Sequence, residues 1–199
     1  MVIIIDYKVG NVGSISNMIK YIGFDALISN DINKIKSASK IILPGVGSFD
    51  HGMKNLKNSN LIEVLNEKVL NDKIPILGIC LGAQLLTKSS QEGNEIGLGY
   101  LEALTLKFNE NNLKLPHMGW NYIDINKKSL LMVDLPEKSK FYFVHKYYMK
   151  GKKEDVLTTT EYGSSFHSSL EKDNIFAVQF HPEKSHKYGM QLMKNFMRL

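Results

Sequence analysis

The strongest constraint on the fold is a set of short, unbroken apolar runs, each cut off by loop-forming residues. Val2-Ile-Ile-Ile5 stops at Asp6, Ile41-Ile-Leu43 at Pro44-Gly-Val-Gly47, and Ile74-Pro-Ile-Leu-Gly-Ile79 at Cys80. A strand that is apolar at every residue has both faces covered, which is the condition of a parallel sheet between helices. Pro75 sits near the start of its run, where a missing N–H is tolerated. Between the runs the period changes. Ile15, Met18, Ile19 and Ile22 recur at helical spacing, and Gly23 is placed to stop that helix. Leu61, Ile62, Leu65 and Val69 mark a second helix over residues 61–70, and residues 82–88 a third, buried through Leu85 and Leu86. Leu27-Ile28 reads as one more short strand. Alternating strands and helices of this kind predict an α/β fold: an open, mainly parallel sheet flanked by helices.

The second half reads differently. Segments 101–108, 121–125, 141–148, 156–160, 164–168 and 175–180 favour strands, and 188–197 an amphipathic helix that closes the chain. This predicts an antiparallel extension of the same sheet. No internal repeat, low-complexity stretch or linker interrupts residues 1–199, which read as a single domain.

Composition narrows the function classes. With 43% hydrophobic and 23% charged residues the chain is neither disordered nor collagen-like. The net charge of +5 comes almost wholly from scattered lysines, and Arg198 is the only arginine. Nucleic-acid recognition relies on arginine forks and basic stripes, so no nucleic-acid partner is expected. One cysteine excludes an intrachain disulfide and a Cys-rich metal site. It also fits a reducing, cytoplasmic setting. The N-terminal run lacks a basic leader, and no stretch has the length of a membrane span. Neither a metal nor a cofactor is expected.

Three strand ends carry chemistry. Gly78-Ile-Cys-Leu-Gly82 has glycines two residues before and two after the cysteine. A tight strand-to-helix elbow lifts a nucleophile above the sheet edge, and small neighbours relieve the crowding there. A helix start also lowers a thiol's pKa through its dipole. The bland alternative is a buried, inert thiol. Val178-Gln-Phe-His-Pro-Glu183 supplies a second signal. His181 could act as general base for Cys80, and Glu183 could fix the imidazole's tautomer, the usual logic of covalent acyl transfer. The alternative for His181 is a cap or a turn. Pro44-Gly-Val-Gly47 is the third: glycines let main-chain N–H groups approach a ligand, and the Leu81 N–H would be a second oxyanion donor. An ordinary β-turn is the alternative there.

Together these segments resemble the class I, triad-type glutamine amidotransferases, through G-I-C-L-G-x-Q, Q-F-H-P-E and L-P-G-V-G. Pro116-His-Met-Gly-Trp-Asn121 and Tyr142-Phe-Val-His145 are similar, within that class, to the glutaminase subunits of imidazole glycerol phosphate synthase. The resemblance covers essentially the whole chain. It implies that Cys80 attacks the side-chain amide of glutamine, that His181 shuttles the proton, and that Glu183 supports His181. It implies that Val46, Gly47, Leu81 and Gln84 line the glutamine and oxyanion site. It also implies a heterodimer with a (β/α)8-barrel cyclase that receives ammonia for histidine biosynthesis, with Asn11, Trp120, Asn121, Tyr142 and Lys184 near the partner. Four positions depart from the family's common pattern: Lys8 for glycine, Gly13 for arginine, Ala83 for methionine and Lys146 for serine or threonine. The alternative is a paralogous glutaminase whose ammonia amidates a sugar in bacterial surface-glycan synthesis.

Overall fold

The computed structural model describes residues 1–108 and 113–199. In chain order the first half contains β1 (Val2–Ile5), α1 (Val12–Tyr21), β2 (Ala26–Ser29), α2 (Ile32–Lys36), β3 (Lys40–Leu43), α3 (Phe49–Asn58), α4 (Ile62–Asn66), β4 (Ile76–Ile79) and α5 (Leu81–Leu85). The second half contains β5 (Leu104–Lys107), β6 (His117–Tyr122), β7 (Asp124–Ile125), β8 (Lys140–His145), β9 (Tyr147–Lys150), β10 (Val156–Tyr162), β11 (Ser164–Lys172), β12 (Ile175–Val178) and α6 (His186–Arg198).

Among the described residues, ten strands share one sheet whose main path runs β2-β1-β3-β4-β12-β11-β10-β7. The first five of that path are parallel. From β12 onward the pairing turns antiparallel, and β9 with β5 attaches to β11. This is the mainly parallel open sheet with an antiparallel extension that the apolar runs imply. All of β1 is buried because each sheet face meets its own core. Ile3 and Ile5 enter one layer with Leu43, Leu81 and Leu85, while Val2 and Ile4 enter the other with Ile42, Leu77 and Ile79. Each fully buried Ile or Leu contributes about 1.5–3 kcal/mol relative to exposure, so these strands are fixed in register by burial on both sides. No helix among the described residues is long and apolar enough to cross a membrane.

Several boundaries differ from the sequence reading. The run at 141–148 is two strands, broken at Lys146. β8 pairs with β6 in a separate two-stranded ribbon, while β9 joins the main sheet. β6 begins at His117 rather than 121, behind an alternation that Gly119 at φ +128° interrupts. The third helix is only five residues long and lies at Leu81–Leu85, because Thr87 Oγ1 donates to the Gln84 carbonyl at 2.7 Å and turns the chain. α2 and α3 were not anticipated. α2 is one short turn capped by the Asp31 carboxylate, and α3 buries Phe49, Met53 and Leu56 behind an otherwise polar sequence.

The parallel order places the carboxyl ends of β3, β4 and β12 side by side, so Pro44, Cys80 and His181 emerge at one edge. Tight backbone packing holds that edge. A Cβ on Gly82 would lie 1.9 Å from the Leu43 carbonyl oxygen, and one on Gly45 would lie 2.6 Å from the Gly82 nitrogen. Gly82→Ala is therefore expected to cost about 3 kcal/mol and lower Tm by about 6–12 °C in calorimetry.

Candidate active site

Cys80 occupies a left-handed backbone conformation, φ +53° and ψ −112°, between β4 and α5. Its N–H is bound by the Val178 carbonyl at 2.8 Å, so the strained residue is held by the neighbouring strand. A non-glycine residue keeps such geometry only where the surroundings over-determine it, which weighs against an inert packing thiol. The side chain is largely buried yet lines a cleft of about 350 Å³ with Gly47, Gln84, Val144 and His181.

His181 follows β12 and is locked through its main chain. Its N–H donates to Tyr142 O at 2.9 Å, and its carbonyl accepts from Ser185 Oγ at 2.6 Å. Nδ1 meets Glu183 Oε1 at 2.7 Å, so a neutral imidazole carries its proton there and presents a bare Nε2. Nε2 is buried and has no hydrogen-bond partner in the resting structure. Burial opposes charging of this ring. The adjacent Cys80 sulfur and the Glu183 carboxylate outweigh it and raise the His181 pKa to about 10. Cys80, His181 and Glu183 thus converge from two adjacent strand ends.

The Pro44–Gly47 segment crosses above the elbow. Tyr7, fully buried, donates its hydroxyl to the Pro44 carbonyl at 2.5 Å, and burial pushes its own pKa well up. The Leu81 N–H donates to the Gly45 carbonyl at 3.3 Å. A trans peptide points its C=O and N–H in opposite directions. The Gly45–Val46 peptide therefore turns its oxygen toward Leu81 and its N–H away. One rotation of this peptide would release the Leu81 N–H and bring the Val46 N–H round beside it. Gly47, at φ +109° with open space where a Cβ would stand, gives the segment that freedom. Gly10, in the loop before α1, packs against the preceding Pro44–Gly45 peptide: a Cβ there would lie 3.1 Å from the Gly45 nitrogen.

Gln84 lies in the cleft wall, but both of its N–H groups are committed, one to Tyr147 O at 3.1 Å and one to Gln179 Oε1 at 2.9 Å. Three residues to which the sequence reading gave no role in the site also belong to this region. Glu92 lines the cleft and caps α3, accepting from the Phe49 N–H at 2.8 Å. Lys146, the departure from serine or threonine, also lines the cleft. Gln179 lies behind the thiol. Only Gln179 carried a local signal, as the first polar residue after an apolar strand.

The expected partner residues separate into two groups. Trp120 is exposed, stacks on His186 at 5.3 Å and meets Tyr142 edge-on at 6.1 Å, and Lys184 lies 5.7 Å over the Tyr142 ring. Met118 and Tyr122 extend this exposed face of β6. Asn11 is exposed at the start of α1, where its Oδ1 accepts from the Ser14 N–H. Asn121 turns the other way. Its Nδ2 donates to Glu161 O at 2.9 Å and reaches His117 Nε2 at 3.2 Å.

The inner face of the ribbon holds two neutral histidines. Tyr147 O can only accept, so His145 Nδ1 donates to it at 2.7 Å. His145 Nε2 then accepts from His117 Nδ1 at 2.9 Å, and His117 Nε2 accepts from Asn121. Burial lowers the His117 pKa to about 4 and that of His145 to about 3. Unfolded imidazoles take up protons near pH 6.5, and the native ones resist until far lower. Stability from these rings is therefore complete above about pH 7 and lost as pH falls through that window. We expect Tm to drop between pH 6.5 and 4, and His145→Gln to flatten the drop in a pH series of thermal melts.

Comparisons with known proteins show the family and the fold. The family model described as glutamine amidotransferase class-I matches residues 3–199. The imidazole glycerol phosphate synthase subunit HisH 2 of Methanococcus maripaludis is 58% identical, over 100% of this chain and 99% of that protein. The HisH 2 subunit of Pseudomonas aeruginosa is 46% identical over 100% of both chains. Among solved structures, a glutamine amidotransferase superposes with TM-score 0.78 at 17% identity, covering 100% of this chain and 98% of that one. The PurLQS structure from Thermotoga maritima gives TM-score 0.76 at 17% identity, covering 99% and 97%.

Proposed function

The chain belongs to the class-I glutamine amidotransferase family, and from that premise we propose that it is the glutaminase subunit of an imidazole glycerol phosphate synthase. The carrying observation is Cys80 in its strained elbow, sharing one cleft with a His181 whose Nδ1 is held by Glu183. His181 Nε2 takes the thiol proton, and the sulfur attacks the amide carbon of glutamine. The oxyanion collapses, His181 returns the proton to the leaving nitrogen, and ammonia departs from a thioester on Cys80. Water, activated by the same imidazole, then releases glutamate and restores the thiol. Glu92 and Lys146 give the cleft one anion and one cation, which suits the α-ammonium and α-carboxylate of an amino acid.

Ammonia is the product to be used, and at neutral pH water converts it mostly to non-nucleophilic ammonium. A dry docked partner keeps it neutral. The partner is a (β/α)8-barrel cyclase, bound as a heterodimer on the exposed Met118–Trp120–Tyr122 face with Tyr142, Lys184 and Asn11 at its margin. Asn121 supports this face from behind rather than lying on it. The setting is the cytoplasm, where the single thiol stays reduced. The test is to mix the purified chain with a histidine-pathway cyclase or with a surface-sugar synthase barrel, and to measure glutamine-dependent amidation of each acceptor. Transfer with the cyclase supports the proposal. Transfer only to the sugar acceptor would replace the pathway while keeping the glutaminase.

A further inference from the structure

Gln179 is a fully buried polar residue to which the steps above give no task. It directly follows β12, and its main-chain N–H is bound to Ser168 O at 2.9 Å. Its side-chain amide has one orientation available. Gln84 Nε2 donates to Gln179 Oε1 at 2.9 Å, and Gln84 is itself anchored by its second N–H on the Tyr147 carbonyl at 3.1 Å. The Gln179 oxygen is thereby used as an acceptor, and its Nε2 faces Cys80 Sγ at 3.8 Å.

A thiolate at Cys80 has few other donors. α5 is only five residues long, so its dipole is small, and its first N–H, on Leu81, is spent on Gly45 O. The Val144 carbonyl lies 4.0 Å from the sulfur and opposes negative charge there. The titratable groups that couple to the sulfur are His181 and Tyr7. Glu183 stands behind the imidazole, and Glu92, His145 and Lys146 line the same cleft. Of these only His181 gives the anion a positive neighbour held in place.

We propose that Gln179 is the hydrogen-bond donor that holds the Cys80 thiolate, and that Gln84 is a positioning residue keeping the Gln179 amide in its donor orientation. The inference rests on the glutaminase reading of Cys80. It gives Gln84 a role in the nucleophile's support as well as in the cleft wall, and it explains why two buried amides are paired behind a cysteine. Removing one hydrogen bond to a buried charged group lowers the charged fraction by about ten- to hundredfold.

Cys80 is the only cysteine in the chain, so mass-detected alkylation by iodoacetamide reports that sulfur alone. The experiment compares wild type with Gln179→Met, Gln179→Glu and Gln84→Met, as the free chain and in the partner complex. Gln179→Met should slow alkylation at neutral pH by about ten- to hundredfold and move the midpoint of its pH profile upward. Gln179→Glu, which sets a carboxylate against the sulfur, should do more. Gln84→Met should shift the profile in the same direction by less, and lower kcat more than it raises KM. Superposable profiles for wild type and Gln179→Met, with kcat/KM retained, would overturn the proposal. Should both Gln179 variants fail to fold, an unmoved profile in Gln84→Met overturns it equally. If wild type hydrolyses no glutamine with any partner yet the profiles shift as stated, the glutaminase reading falls and the sulfur contact stands.

Discussion

Cys80→Ala is expected to reduce glutamine hydrolysis by about 10⁴-fold or more while the chain stays folded and still binds its partner. Losing the nucleophile removes the covalent route entirely, because no second thiol exists to replace it. The structural cost is small. The sulfur faces a cleft, its Sγ contacts are at 3.8 and 4.0 Å, and alanine adopts the strained backbone no less readily than cysteine. A destabilisation within about 1 kcal/mol follows from the loss of one partly exposed atom. Glutamate release measures the first claim, and partner synthesis from added ammonium measures the second. His181→Ala should come close to the cysteine variant, since it removes the imidazole that exchanges a proton with the thiol. Glu183→Gln should do less damage, because an amide oxygen can still accept from Nδ1. Turnover near wild type in Cys80→Ala would end the nucleophile assignment.

The free chain is expected to be a slow glutaminase, and a docked partner carrying its acceptor should accelerate it by about 10²–10³-fold in kcat/KM. In the resting structure the Gly45 carbonyl holds the Leu81 N–H, and the Val46 N–H faces away. The two N–H groups proposed as oxyanion donors are thus both turned from the cleft or already bound. Each missing donor costs roughly 3–4 kcal/mol at the transition state, so one peptide rotation is sufficient for a switch of this size. Gly10 in the first loop packs on the Pro44–Gly45 peptide just before the one that rotates, and exposed Asn11 is the next residue, beside the proposed docking face. Lys8 in the first loop sits at φ +64°, a conformation that glycine adopts more readily than lysine. Gly47→Val should suppress the stimulated rate far more than it weakens docking, because a β-branched residue resists φ +109°. Glutaminase assays on the free chain, the complex and the complex with an acceptor analogue decide this. Equal kcat/KM in all three would reject coupling.

Local signals along the chain specify the sheet and the three strand ends. Runs apolar at every residue required cover on both faces, and the residues that cut them off were those needed at a sheet edge: Pro44-Gly45, Cys80 between glycines, and His181-Pro182. These signals are local, so a linear chain displays them. Tertiary structure alone decided the rest. The split of 141–148 into two strands depends on which partner each half finds, β6 or β11. The inward turn of Asn121 depends on the pleat of β6, one residue away from the outward-facing Trp120. Glu92 and Lys146 reach the cleft from loops far apart in sequence. The orientation of the Gly45–Val46 peptide, with its carbonyl on the Leu81 N–H, is one of two rotations that the same glycines permit. The Gln84–Gln179 pair joins residues 95 positions apart, through side-chain amides whose direction only their mutual hydrogen bond fixes.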